Sequence, residues 1–457
     1  MMMHWTRRRF LKTLGLGTAA FSLNAQWMPQ AWAETASSRR FIVCYFSGGW
    51  DTLLCLDPRS PADFPTFNPG SQTVYPGYEM LDGSYPSDVV MPDAASYPHM
   101  TFGPAIGNFA AAHYQKSCIV RGVSMNTLTH GVGRNFFLTG KEPRGLAANG
   151  SSLGTHTASA QGELLPIPNL AANVSAYNEA EPKWASPLSV NNVSDLIAVL
   201  DDGPDAPAGD IRAALDRYRS TAVDCDPALY DRKGFLGFIR DTQTKARELV
   251  AQELSGRFKF TNGSDPEMVG IRARYGIPGN MSGSGAQAAL AYQAIKYDIA
   301  QSVTIQLASG LDTHDEDWAT DHPANLQEGF NALSQLVTDL ENTPNQEGGT
   351  LLDNTTILCF SEFGRTANIN ARGGRDHNLN SAALMLGAGV PKGVVIGGTS
   401  DNGLGSYGIN PETGAVVDGG HVLTPTDIHA SIMQAAGFDT DYLRTEGLPC
   451  LMDTSEN

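Results

Sequence analysis

The chain reads as an α/β protein: a mostly parallel central sheet flanked by helices, with long loop insertions. Three observations predict this. Apolar runs such as Phe41-Ile42-Val43-Cys44-Tyr45-Phe46 have the character of strands buried on both faces. Segments with helical periodicity alternate with those runs, the pattern of a sheet covered by helices on both sides. The 48 glycines and 26 prolines lie between strongly apolar segments, which means many loops rather than disorder.

The first segment, residues 1–33, has the layout of a cleaved signal. Thr6-Arg7-Arg8-Arg9-Phe10-Leu11-Lys12 opens a modest apolar run from Leu14 to Leu23, and Ala31-Trp32-Ala33 forms a small-residue exit. The opening matches the twin-arginine consensus. The run is too short and too rich in Gly, Thr and Ser to supply the ~20 apolar residues of a membrane span. The expectation is export by the twin-arginine translocase, a periplasmic or secreted location, and a mature chain from about Glu34 with no stable membrane span. Removing residues 1–33 removes four cations and no acid, taking the formal charge from −17 to −21. So acidic a chain excludes nucleic acid as a partner, because phosphate binding needs concentrated Lys and Arg. Residues 34–457 are expected to form a single domain, with insertions around 58–100 and 141–280.

The elements follow in order. The strand over 40–47 ends in Gly48-Gly49-Trp50-Asp51. Residues 58–100, rich in Pro, Gly, Ser, Tyr and Asp, form an excursion. A second strand spans 117–124, and a helix-like Gly133–Leu138 is closed by Thr139-Gly140. Residues 141–210 are loop-rich, with short strands expected at Leu188–Val190 and Ile197–Leu200. Helical periodicity covers 210–256. An Ala-rich helix over 285–299 leads into the strand Ser302–Leu307 and then Gly310-Leu311-Asp312-Thr313-His314. Leu326, Phe330, Leu333, Val337 and Leu340 recur at i+3/i+4 spacing and mark a helix. The strand Thr355–Phe360 delivers Ser361-Glu362-Phe363-Gly364-Arg365-Thr366. A loop carries Gly374-Arg375-Asp376-His377, and strands follow at Ala382–Leu386 and Gly393–Ile396. A last helix begins at Thr424-Pro425, a capping Thr before Pro, and runs to Ala436-Gly437.

Of the six cysteines, Cys44 and Cys359 lie in apolar runs and read as buried thiols. Cys225 and Cys450 lie in polar loops and are the pair expected to bridge in an oxidising compartment. No Cys-x-x-Cys occurs, which argues against a thiolate zinc site.

Asp51, Asp312, His314, Glu362, Asp376 and His377 gather in the loops after strands, where open parallel sheets place their ligands. Carboxylate and imidazole together suit one or more divalent cations, whether zinc, calcium, magnesium or manganese. A cation there would polarise an ester oxygen or acidify a water. Each residue also has a structural alternative. Asp51 would hydrogen-bond its own loop, Asp312 would cap a helix, Glu362 would pair with Arg365, and Asp376-His377 would be an exposed dipeptide. Their joint placement favours a metal or substrate site.

Gly48-Gly49-Trp50-Asp51, Leu311-Asp312-Thr313-His314, Ser361 to Thr366 and Gly374 to His377, in this order, resemble the DUF1501 family. So do Gly387-Ala388-Gly389-Val390 to Gly397-Gly398-Thr399, and Asp427-Ile428-His429-Ala430 to Gly437. The resemblance covers essentially the whole mature chain. It implies a fold similar to alkaline phosphatases and sulfatases, but no substrate, since the family is named for lacking an assigned function. It places Asp51 where that superfamily keeps its first-strand metal aspartate. Glu362 and Phe363 stand where the superfamily has the aspartate and histidine of Asp-His-Gly. Asp312 and His314 resemble a second-metal pair at shorter spacing, and His377 would supply a final imidazole. The nucleophile register, nine residues before Thr139-Gly140, holds His130, open as ligand, covalent acceptor, acid/base or ordinary loop histidine. Arg134 falls where sulfatases keep an arginine, and Arg134 or Arg365 would hold the anion.

Two functions follow as expectations. One is a metal-dependent hydrolase of phosphate or sulfate esters, acting on a small-molecule or glycan ester. The other is a non-catalytic envelope protein of the same fold. An oxidoreductase lacks support, because no Gly-x-Gly-x-x-Gly follows a strand and no Cys-x-x-Cys-His occurs.

Overall fold

The structure, a computed structural model, describes residues 39–68, 71–201 and 244–453, together with 210, 211, 214 and 217. The signal expected over 1–33, Cys225 and most of the periodic stretch 210–256 lie outside the described residues.

The centre of the fold is an eight-stranded sheet. In chain order its strands are β1 (Arg40–Phe46), β2 (Cys118–Ser124), β3 (Ile167–Ala172), β4 (Leu188–Val190), β5 (Ala300–Ala308), β6 (Thr355–Phe360), β9 (Asn380–Gly387) and β10 (Val394–Gly397). A separate two-residue ladder joins β7 (Gly364–Arg365) to β8 (His377–Asn378). The spatial order is β10-β2-β9-β6-β1-β5-β3-β4. Only β9 runs antiparallel to its neighbours, β2 and β6. The expected mostly parallel sheet is therefore what the chain forms. The carboxyl ends of β1, β2, β5 and β6 share one edge of the sheet.

Strand β1 shows why both faces are covered. Ile42, Cys44 and Phe46 point into one core; Phe41, Val43 and Tyr45 point into the other. The first core is closed by α6 (Ser284–Lys296) and α7 (Asp321–Asn342), the second by α2 (His130–Thr139) and α8 (Pro425–Ala435). The periodic residues Leu326, Phe330, Leu333, Val337 and Leu340 of α7 are all fully buried. Phe330 packs with its ring centroid 4.9 Å from Phe46 and 5.3 Å from Phe109. Truncating such a side chain to Ala would cost about 3–5 kcal/mol. The capping Thr at the start of α8 is present, with Thr424 and Asp427 forming a reciprocal capping box ahead of Pro425. Further helices among the described residues include α1 (Gly107–His113), α3 (Leu153–Gln161), α4 (Val193–Leu200) and α5 (Pro266–Arg274).

The sequence expectations need correction at one edge of the sheet. Ile197–Leu200, expected as a strand, belongs to α4, which Asn192 caps by accepting from the Asp195 N–H at 3.0 Å. Strand β3 and helix α3 were not expected at all. Pro168 in β3 lacks a donor, yet the pairing of β3 with β4 begins only at Leu170, so the ladder loses nothing there.

Candidate metal centre

Three loops and one helix end meet beyond the shared strand edge. The loop after β1 turns at Gly48, whose φ is +118°. A Cβ on Gly48 would stand 2.6 Å from the Asp312 nitrogen, so only glycine lets the β1 and β5 loops touch. The loop after β6 adds Glu362 and Arg365, and β8 brings back His377. Helix α2 begins at His130 and packs on the β6 loop.

Asp312 is the hub. His314 Nε2 lies 3.0 Å and His377 Nε2 3.2 Å from its Oδ1, and His130 Nε2 lies 3.3 Å from its Oδ2. The ligand atoms of His130, Asp312 and His377 all fall within 4.8 Å of one another, the one such group among the described residues. His314 Nε2 adds a third imidazole 3.0 Å from His377 Nε2. The cluster is open to solvent: the Asp312 side chain is 48% exposed and that of His130 37%.

Each imidazole is held from behind. His130 Nδ1 faces Glu362 Oε1 at 2.8 Å, His314 Nδ1 faces Asp376 Oδ1 at 2.7 Å, and His377 Nδ1 faces the Leu128 carbonyl at 2.7 Å. A carbonyl or a carboxylate only accepts, so neutral rings carry their protons on Nδ1. Their Nε2 lone pairs then converge on a carboxylate that is also an acceptor. With that tautomer, His314 and His377 Nε2, 3.0 Å apart beside Asp312, form a donor set suited to a cation, and the anchors behind them are those that orient metal-binding histidines. The residues present therefore fit a dication. A donor set this rich in imidazole suits zinc and its transition-metal neighbours better than calcium or magnesium.

The electrostatics agree. The hydrogen bond that His130 Nδ1 donates to Glu362 raises the His130 pKa. Burial lowers that of His377. Burial pushes Asp312 upward, but the hydrogen bond and charge of the Arg365 guanidinium hold it well below the ordinary carboxylate range. Burial likewise opposes, and the His130 hydrogen bond outweighs it, in keeping the Glu362 carboxyl low. At neutral pH Asp312 and Glu362 are thus carboxylates.

The family model for a protein of unknown function, DUF1501, matches residues 38–452. The chain belongs to the DUF1501 family. No curated protein matches this DUF1501 chain. Among solved structures it is similar to Ps i-CgsB in complex with k-i-k-neocarrahexaose, with 12% identity over 90% of this chain and 75% of that one, at a TM-score of 0.37. It is similar to the alkaline phosphatase of the Antarctic bacterium TAB5, with 8% identity over 88% and 99%, at a TM-score of 0.32. It is also similar to BT4656 in complex with its substrate D-glucosamine-2-N,6-O-disulfate, with 11% identity over 91% and 80%, at a TM-score of 0.31.

The other residues singled out in this DUF1501 sequence sit apart from the cluster or behind it. Asp51 is fully buried, and both its carboxylate oxygens are engaged by other groups. Its Oδ1 accepts from the Leu53 N–H at 3.0 Å, and its Oδ2 accepts from Trp318 Nε1 at 2.8 Å and pairs with Arg375 Nε at 2.8 Å. The loop-bonding alternative for Asp51 is thus realised, with a counter-ion added. Glu362, 1% exposed, accepts from the Gly48 N–H at 3.0 Å and from His130, so it stands behind the cluster as an anchor. Asp376 does the same for His314. Asp312 caps no helix; Thr320 is the N-cap of α7.

Arg365 does not meet the expectation of an anion holder. It is fully buried, and its donors go to the Gly48, Gly49, Leu311 and Arg375 carbonyls, to Asp312 and toward His314 Nε2. It ties the three loops together and aims Asp312, but has no N–H left for a substrate. Arg134 differs. It lies one turn beyond His130 on α2, and its buried Nε has no protein acceptor among the described residues. Leu128, Trp318 and Arg375 are the working residues that sequence reasoning passed over.

Proposed function

We propose that the chain is a metal-dependent hydrolase of phosphate or sulfate esters, acting on a small-molecule or glycan ester. The observation that carries this reading is the convergence of His130, His314 and His377 Nε2 on Asp312, each ring anchored at Nδ1. His130, Asp312 and His377 would hold the dication, with His314 beside them. A dication at such a donor set supplies charge to polarise an ester oxygen and to acidify water. The chain's own contribution is positional. Glu362, Asp376 and the Leu128 carbonyl fix the rings, Arg365 fixes Asp312, and Arg134 offers a guanidinium to the ester's anionic oxygens. The solvent-open face of the cluster leaves room for a substrate to approach.

Turnover of an aryl phosphate and an aryl sulfate by the zinc-loaded protein tests the reading. Activity abolished by chelation, restored by zinc and reduced at least 100-fold in His377→Ala supports it. Bound metal with no turnover across a broad ester panel overturns it in favour of the non-catalytic envelope protein. Export by the twin-arginine translocase and a periplasmic or secreted location form part of the same proposal. They rest on Arg7-Arg8 and the short apolar run after them. Loss of export in an Arg7→Lys, Arg8→Lys variant is the expected result. No helix among the described residues is long and apolar enough to cross a membrane.

A further inference from the structure

The superfamily resemblance implies a two-metal site, in which Asp51 and Glu362 serve one cation and Asp312, His314 and His377 the other. The geometry does not fit that arrangement. Asp51 is 0% exposed, and so is Arg375, whose Nε stands 2.8 Å from Asp51 Oδ2. The guanidinium is itself pinned: NH1 donates to the Thr366 carbonyl at 2.8 Å, and NH2 to the Tyr75 and Pro76 carbonyls at 2.6 and 2.9 Å. Its plane lies against the Trp318 ring, 4.8 Å from the centroid, and Trp318 Nε1 donates to the same Asp51 oxygen. A dication at Asp51 would have to sit beside this fixed cation in a dry setting, where like charges repel strongly.

Glu362 is no freer. Its Oε1 accepts from the Gly48 N–H and from His130, and Ser361 Oγ lies 2.9 Å from Oε2. Phe363 stands beside it with a fully buried phenyl ring in place of an imidazole, 4.7 Å from the His130 ring and 4.3 Å from that of His377. One half of the two-metal arrangement is therefore filled by Arg375, Trp318 and Phe363. The other half is intact and has recruited His130.

We infer that the protein binds a single dication, at His130, Asp312 and His377, and that the buried Arg375 guanidinium holds Asp51 where a second cation would otherwise be needed. The inference rests on the metal reading above and deepens it. A mononuclear centre has one Lewis-acidic charge, so the developing charge on the far side of a substrate must be met by protein groups such as Arg134.

The test is the stoichiometry of zinc binding to the whole chain. Protein stripped with a chelator is titrated with Zn²⁺ alone by calorimetry, and the metal retained after dialysis is counted by elemental analysis. One equivalent per chain is expected, with affinity at least 100-fold weaker in His377→Ala and changed less than threefold in Asp51→Asn. Should Asp51→Asn fail to fold, Trp318→Phe, which removes one donor from the same oxygen, is expected to keep the single equivalent. Two equivalents in the unaltered protein overturn the inference and leave the hydrolase reading standing. Loss of the equivalent in a folded Asp51→Asn protein also overturns it. No binding at all overturns the metal reading on which it rests.

Discussion

His130 Nδ1 lies 2.8 Å from Glu362 Oε1, across 232 residues of chain, and this bond turns Nε2 toward Asp312. Glu362 is buried and holds no other imidazole among the described residues, so its charge serves to orient that one ring. Replacing it with the isosteric Gln keeps the Gly48 contact but weakens the anchor. Glu362→Gln is expected to bind zinc about 10–100-fold more weakly, the range found for anchoring partners of metal-binding histidines. Competition with a chromophoric chelator measures this. An unchanged affinity would show that His130 is placed without help.

The same helix end is positioned by a glycine. A Cβ at Gly133 would stand 2.2 Å from the Glu362 carbonyl oxygen, a backbone atom that cannot swing aside. Gly133→Ala should push α2 off the β6 loop and carry His130 with it. The expected result is a folded protein less stable by about 1–3 kcal/mol in urea, with weakened zinc binding. Stability and affinity equal to the parent would mean that the two elements are not in contact.

Asp51 gives a prediction about stability. Asp51→Ala leaves the Arg375 guanidinium buried without its carboxylate. Breaking a buried ion pair from one side typically costs about 3–5 kcal/mol. Urea unfolding of the zinc-free protein should show a loss of that order. A loss below about 1 kcal/mol would mean that Arg375 reaches solvent or another acid.

Acid should unfold the protein partly through His429. Its ring is fully buried, and burial lowers its pKa to about 3, while Nε2 donates to the Phe137 carbonyl at 2.6 Å. The unfolded chain takes up the proton near pH 6.5, and the folded one only near 3. Stability is therefore full above about pH 6.5 and falls as pH drops toward 3, by at most about 1.4 kcal/mol per pH unit. His113, lowered by burial to about 4, acts in the same direction over a narrower range. Thermal melts of chelated protein should flatten between pH 6 and 4 in His429→Gln. Identical slopes in the two proteins would contradict the buried neutral state.

Much of this was legible in the chain because strands and clustered polar residues announce themselves locally. β1 and β6 are runs rich in apolar and β-branched residues, β5 has an apolar and β-branched centre, the periodic face of α7 is apolar, and Asp312, His314 and His377 lie in the loops after such segments. What stayed hidden depends on distant partners. Asp51 reads as a ligand until Trp318 and Arg375, 267 and 324 residues away, are seen to close around it. The Leu128 carbonyl that anchors His377 is a backbone atom with no sequence signature. α3 lacks an apolar stripe, since Leu153–Gln161 is mostly Gly, Thr, Ser and Ala, and is buried by packing instead. The β-branched and aliphatic run at the end of α4 suits a strand equally well, and only the Asn192 cap decides for a helix.

The most direct test is an anomalous difference map, at the zinc edge, of a crystal of the zinc-loaded protein. The account predicts one peak, about 2.0–2.2 Å from His130 Nε2, His377 Nε2 and an Asp312 oxygen. A map with no peak among these side chains, or with its peak against Asp51, would contradict it.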